Sequence, residues 1–173
     1  MGKQVVLAIF KDEAAADAAV ANLKQLDKSD DDLSLKALGV LTLDENGTVV
    51  EHKVGKHVTG KGAAGGYVLG TIAVALTPVG VGVLAWTAAG ALVGHGLHKS
   101  LGLSERDLDR LHDEIWGGKA AVGVLVADVN VPLVLTRLEA LGGVPESHPI
   151  DDELAAAQTD VDDAVPPMEA ATS

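Results

Sequence analysis

The sequence has no cysteine and very few aromatic residues. Without cysteine there are no disulfides, no thiolate metal ligands and no thiol nucleophile. The lack of disulfides fits a reducing compartment. Aromatic residues make up 2% of the chain and hydrophobic residues 47%. The core must therefore be built from Ala, Val and Leu, small side chains that let elements approach closely. Basic residues are also scarce: 13 Lys and Arg stand against 25 Asp and Glu, a net charge of −12. That balance argues against general nucleic-acid binding, which needs clustered cations to neutralise phosphates. The N-terminus is not expected to be a secretory signal. The opening MGKQVVLAIF turns polar at Lys11 and reads as a first strand.

What is present is unevenly distributed. Between His52 and Ser104 there is no Asp or Glu, while Lys53, Lys56, Lys61 and Lys99 give that stretch a formal +4. The rest of the chain therefore carries −16. Inside the stretch, Gly62 to His98 is a run of 37 residues with no formally charged side chain. His52, His57, His95 and His98 join the lysines in bracketing the apolar run.

Around it the pattern is that of a small α+β domain. Val5 to Phe10 is a β-branched run, hence a strand. Lys11 to Asp27 is helical, with Ala16, Val20 and Leu23 on one face. Leu33 to Leu43 alternates as a strand, Asn46-Gly47 marks a hairpin turn, and Thr48 to Val54 returns as a third strand. Ser104 caps a helix to Trp116, with Asp107 at the N3 position and Leu103 and Leu108 placed to form a hydrophobic staple. Ala120 to Ala127 is apolar on both faces and reads as a central strand. Asn130 is expected to cap a helix from Val131 to Leu141. Val144 to Ile150 reads as a weak edge strand, because Pro145 and Pro149 cannot donate to a ladder. The order predicts a ferredoxin-like βαββαβ sheet domain over residues 1–61 and 100–150. An apolar helical hairpin, 62–99, is inserted between strand three and the second core helix. An acidic, mostly disordered tail occupies 151–173.

Thr77-Pro78-Val79-Gly80 breaks the insert into two arms, about 63–76 and 81–98. Gly62, Gly66 and Gly70 repeat along the first, and Gly82, Gly90 and Gly94 line the second. Small residues at four-residue spacing form a groove for close helix packing. Each glycine costs a water-exposed helix about 1 kcal/mol against alanine, so several together imply compensation by tight packing. The strands on either side must share one sheet, so the insert leaves and returns on the same side. That makes it an out-and-back hairpin with Pro78 at its apolar tip, Trp86 within the second arm, and Lys53, Lys56, Lys61 and Lys99 at its base. Three coverings compete: membrane lipid entered from one face, other copies of the chain, or the chain's own sheet. The arms are short for a full span of about 20 residues, which favours partial insertion.

The combination of QVVLAIF, KALGVLTLDENGTV, the GKGAAGGYVLG…ALTPVGVGVLAWTAAGALVG insert and AAVGVLVAD…LEALGG resembles a bacterial family of predicted membrane proteins with a Gly-rich insert. That family is related in pattern to heat-induced general stress proteins. The resemblance covers about Lys3 to Ile150 and implies a ferredoxin-like domain, association through the insert and a stress role. It supplies no catalytic residues.

Other motifs fall short of chemistry. Gly55 to Gly62 nearly matches a phosphate-binding loop but has Gly62 where the Mg²⁺-binding hydroxyl belongs. His95 and His98 share a helix face, yet the insert offers no carboxylate or thiolate to complete a metal site. Asp30-Asp31-Asp32 and Asp151-Asp152-Glu153 lack calcium-loop spacing. Ser104 with His112 and Asp113 is not a triad, because Ser104 serves as a cap. The expectation is a bacterial, non-enzymatic protein without cofactor, metal or small-molecule substrate. It sits on the cytoplasmic side of the membrane or in the cytoplasm, and associates with membrane, with itself, or with both. The alternatives are a soluble homo-oligomer with a shared hairpin core and a small-ligand sensor on the sheet.

Overall fold

The computed structural model describes residues 2–45, 49–52 and 102–151, with only the backbone of 50–52. The glycines Gly62, Gly66, Gly70, Gly82, Gly90 and Gly94 lie outside the described residues, as do Pro78, Trp86, Lys53, Lys56, Lys61 and Lys99. So do the Asn46-Gly47 turn and the tail after Asp151.

The described chain is a mixed α+β fold. Strand β1 (Lys3–Phe10) leads to helix α1 (Glu13–Ser29), then β2 (Leu35–Leu43) and β3 (Val49–His52). Helix α2 (Glu105–Trp116) leads to β4 (Ala120–Ala127). A 3-10 turn (Asp128–Asn130), helix α3 (Val131–Ala140) and β5 (Val144–Pro149) follow. All strand pairs are antiparallel, in the order β3-β2-β4-β1-β5. The central place of β4 follows from its composition: AAVGVLVA is apolar on both faces, and all but its last residue are buried.

The two faces of the sheet hold separate cores. On one, Val6, Ala8, Phe10, Val122, Val124 and Val126 pack against α1 and α3, which contribute Val20, Leu23, Val134 and Leu138. On the other, Val5, Leu7, Leu41, Ala121 and Leu125 pack against Leu111 and Ile115 of α2. The expectation that 104–116 is the second core helix beside α1 is therefore corrected: α3 takes that place, and α2 covers the opposite face. The reason lies in connectivity. β1 and β2 run parallel with β4 between them, and β4 and β5 run parallel with β1 between them. Two interleaved crossovers of the same hand put their helices on one face.

Helix ends follow the sequence closely, with one exception. Asp12 caps α1 by accepting from Ala15 N at 2.8 Å. Ser104 caps α2 as expected, in a capping box with Asp107, and Leu103 is buried in the cluster against which Leu108 packs. Asn130 makes no capping hydrogen bond. Its side chain instead donates to Asp32 O at 3.2 Å, tying the turn before α3 to the turn after α1.

β5 is an edge strand, and the ladder explains its prolines. Ile150 N donates to Lys3 O at 3.3 Å, so alternate residues 148, 146 and 144 also bond inward to β1. Residues 145, 147 and 149 therefore turn their backbone outward. Two of these three are Pro145 and Pro149, which leaves Ser147 as the only outward N–H donor on the strand. Such an edge is protected against pairing with another sheet. Replacing both prolines by threonine restores two donors. Concentrated Pro145→Thr/Pro149→Thr protein is expected to associate more strongly than wild type in sedimentation velocity. Equal association would show that the prolines do not guard the edge.

Candidate functional site

The junctions of the 53–101 segment can be placed from their described neighbours. His52 ends β3 on one edge of the sheet, opposite Val40 of β2. Gly102 lies against Pro149 of β5, on the other edge. Four strand spacings of about 4.8 Å separate those edges, roughly 19 Å. β3 runs toward the end of the sheet where β2 begins, and Gly102 sits at that same end, beside Pro149, which pairs with Gln4. The chain therefore leaves and re-enters the fold toward one end, from opposite edges.

The second junction is built with tight tolerances. Gly102 has φ +64°, a left-handed conformation that side chains disfavour. A Cβ there would run into Pro149 O and stand 3.2 Å from Pro149 C. The next residue, Leu103, is buried in the α2-side core. Ser104 then starts α2: its Oγ accepts from Asp107 N at 3.2 Å and donates to Asp107 Oδ2 at 2.7 Å. Its backbone N–H donates to the same oxygen at 2.9 Å. These two bonds, the side-chain one foremost, hold the Asp107 carboxyl below the usual carboxylate range, with help from nearby His148 and Arg110.

A polar cluster connects this junction to β5. Antiparallel register puts His148 and Glu146 on the α2-facing side, opposite Val5 and Leu7. Arg110 of α2 donates through Nη2 to both oxygens of Glu146 and stands 3.6 Å from Asp107 Oδ1. The Glu146 carboxylate keeps the Arg110 guanidinium protonated more firmly than usual. His148 is only 9% exposed. Its Nδ1 lies 3.3 Å from Gly102 O. Its Nε2 lies 3.2 Å from Glu146 Oε1, within ion-pair range, and has no hydrogen-bond partner among the described residues. One turn along α2, Lys119 pairs with Glu114 beside a small depression lined by Ile9, Leu111 and Val144.

Ser104 is used as a cap, as its sequence context indicates, and is not paired with His112. His112 Nδ1 stands 3.5 Å from Asp113 Oδ1, and its ring packs on Trp116 with centroids 5.2 Å apart. Among the described residues no group of three or more His, Asp or Glu is placed to hold a metal ion. Also among them, no helix is long and apolar enough to cross a membrane.

The cluster of Arg110, Glu146 and His148 was not anticipated from sequence. The available signal was the alternation of Glu146 and His148 between two prolines, which marks one face of a strand. That signal names a face but not the helix that covers it. No family model, curated protein or solved structure matches the chain.

Proposed function

We propose that this protein is a non-enzymatic, ferredoxin-like carrier for the apolar segment 62–98. Through that segment it associates with a membrane from one face, with further copies of itself, or with both. The supporting observation is that one strand secures both sides of the segment: β2 pairs with β3 before it and with β4 after it. A single bilayer crossing would pull β3 and β4 to opposite sides and break those ladders. An out-and-back path keeps them together. Lys53 to Lys61 spans nine residues, which reach about 30 Å when extended. The edge-to-edge separation of roughly 19 Å therefore does not prevent the two arms from meeting.

The ferredoxin-like assignment rests on the order β5-β1-β4-β2, with α1 and α3 on one face. In that reading β3, the segment and α2 together form an elaboration between the second and third strands of the motif. The resemblance to Gly-rich bacterial membrane-associated proteins and a stress role belong to the same proposal. Lysines and histidines flanking the apolar run suit an anionic headgroup layer.

The test is to express the full chain without detergent, fractionate the cells and size the soluble portion. Recovery in membranes, or as a defined oligomer, is the expected result. Gly66→Leu and Gly90→Leu fill the small-residue groove and are expected to lower that recovery or shrink the oligomer at least severalfold. A well-behaved soluble monomer would sink the proposal. So would association indifferent to both substitutions.

A further inference from the structure

We propose that Val129 and Leu133, at the start of α3, are a second lipid contact, which seats one end of the folded domain on the bilayer surface. The inference rests on the membrane reading of the 62–98 segment and names the part of the sheet domain that meets the headgroup layer. It starts from the apolar side chains left in water. Among the described residues four large ones are exposed, and they fall at opposite ends of the sheet. Trp116 and Val144 lie where α2 stops and β5 begins, the end at which Val144 pairs with Ile9. Val129 and Leu133 lie where β4 stops and α3 begins, the end at which Ala127 pairs with Lys3. The second pair shares its end with Gly102, and β3 runs toward that end.

Position within that end carries the argument further. β4 is the middle strand of five, so the turn after it lies two strand spacings, about 10 Å, from either edge of the sheet. Val129 therefore stands midway between the edge where the chain leaves and the edge where it re-enters. A layer entered by the segment from this end passes beneath that turn. Val129 is 73% exposed and Leu133 42%. Exposed Pro132 completes one apolar face at i, i+3 and i+4. Asn130, inside the turn, donates to Asp32 O at 3.2 Å and ties it to the turn after α1. Three side chains fall far short of the roughly 800 Å² per partner that a stable protein interface buries. They suffice to dip into the boundary between headgroups and acyl chains, which supplements an anchor already present. Asp128 and the Asp30–Asp32 turn adjoin the face, so its attraction to the layer is apolar and does not depend on headgroup charge.

The test floats the full chain with vesicles of phosphatidylcholine and phosphatidylglycerol. Val129→Gln/Leu133→Gln is expected to lower the partition coefficient about fivefold to tenfold, the scale of two partly buried apolar side chains. The factor should be the same at low and high salt. Val144→Gln, as exposed as Val129 but at the far end, should lower it less than about twofold. Amide exchange of wild type on vesicles should slow at 129–134, a readout that needs no variant. Equal partition of wild type and the double variant, with no slowing at 129–134, would overturn the contact. So would an equal loss from Val144→Gln. Unchanged partition with a smaller oligomer would assign the face to a second copy and also overturn it. Flotation that responds to Gly66→Leu but not to the double variant removes this contact and leaves the membrane reading standing. Wild type that does not float removes both.

Discussion

Replacing Gly102 by valine is expected to lower the unfolding free energy by about 2–4 kcal/mol, roughly a 10 °C drop in Tm. Two costs combine. The backbone sits at φ +64°, where a β-branched residue is strained. The side chain would also run into the carbonyl of Pro149, which is backbone and cannot swing aside. Gly118 separates the two: it has φ +94°, but a Cβ there meets nothing within 4 Å. Gly118→Val should therefore lose only the conformational part. Urea unfolding of both variants measures the difference. Equal losses would mean that the close approach to Pro149 contributes nothing.

Leu125→Ala is expected to cost about 2–5 kcal/mol. Leu125 is fully buried in β4, flanked by strands on both sides, with Val5, Leu7, Leu41 and Leu111 in the same core. A sheet held by paired strands on both sides cannot collapse into the cavity, which places the loss toward the upper half of that range. Val144→Ala offers the contrast. Val144 is 73% exposed, and its truncation should change stability by no more than about 0.5 kcal/mol. Thermal denaturation of the pair checks both. A small loss at Leu125 would mean that the α2-side core is loosely packed and does not hold α2 to the sheet.

Much of the architecture is legible in the residues because local and tertiary preferences agree. The all-apolar run AAVGVLVA has nowhere to go but the middle of a sheet covered on both faces. The serine, aspartate and leucines around Ser104 specify a helix start by themselves, and the same cap and staple form. What the sequence does not carry is which face a helix covers. The stripe Leu108, Leu111 and Ile115 demands burial but is indifferent to side. A crossover from β3 to β4 of the same hand as that from β4 to β5 would place its helix beside α1, and α2 lies opposite. The 49 residues between β3 and Gly102 relieve α2 of that handedness rule, which governs short connections.

The polar cluster was illegible for a related reason. Arg110 and Glu146 are 36 residues apart, and only the placement of α2 over β5 brings them together. Asn130 shows the converse. Its position before a helix predicts a cap, but a nearby carbonyl, Asp32 O, takes its side chain instead.

The two prolines of β5 bear on how large any assembly through this sheet can become. A ribbon of sheets lengthens without limit only when each unit offers a pairing edge on both sides. With only Ser147 left to donate outward, the β5 side is a poor pairing edge. Pro145 and Pro149 therefore disfavour growth of a sheet ribbon through the β5 edge.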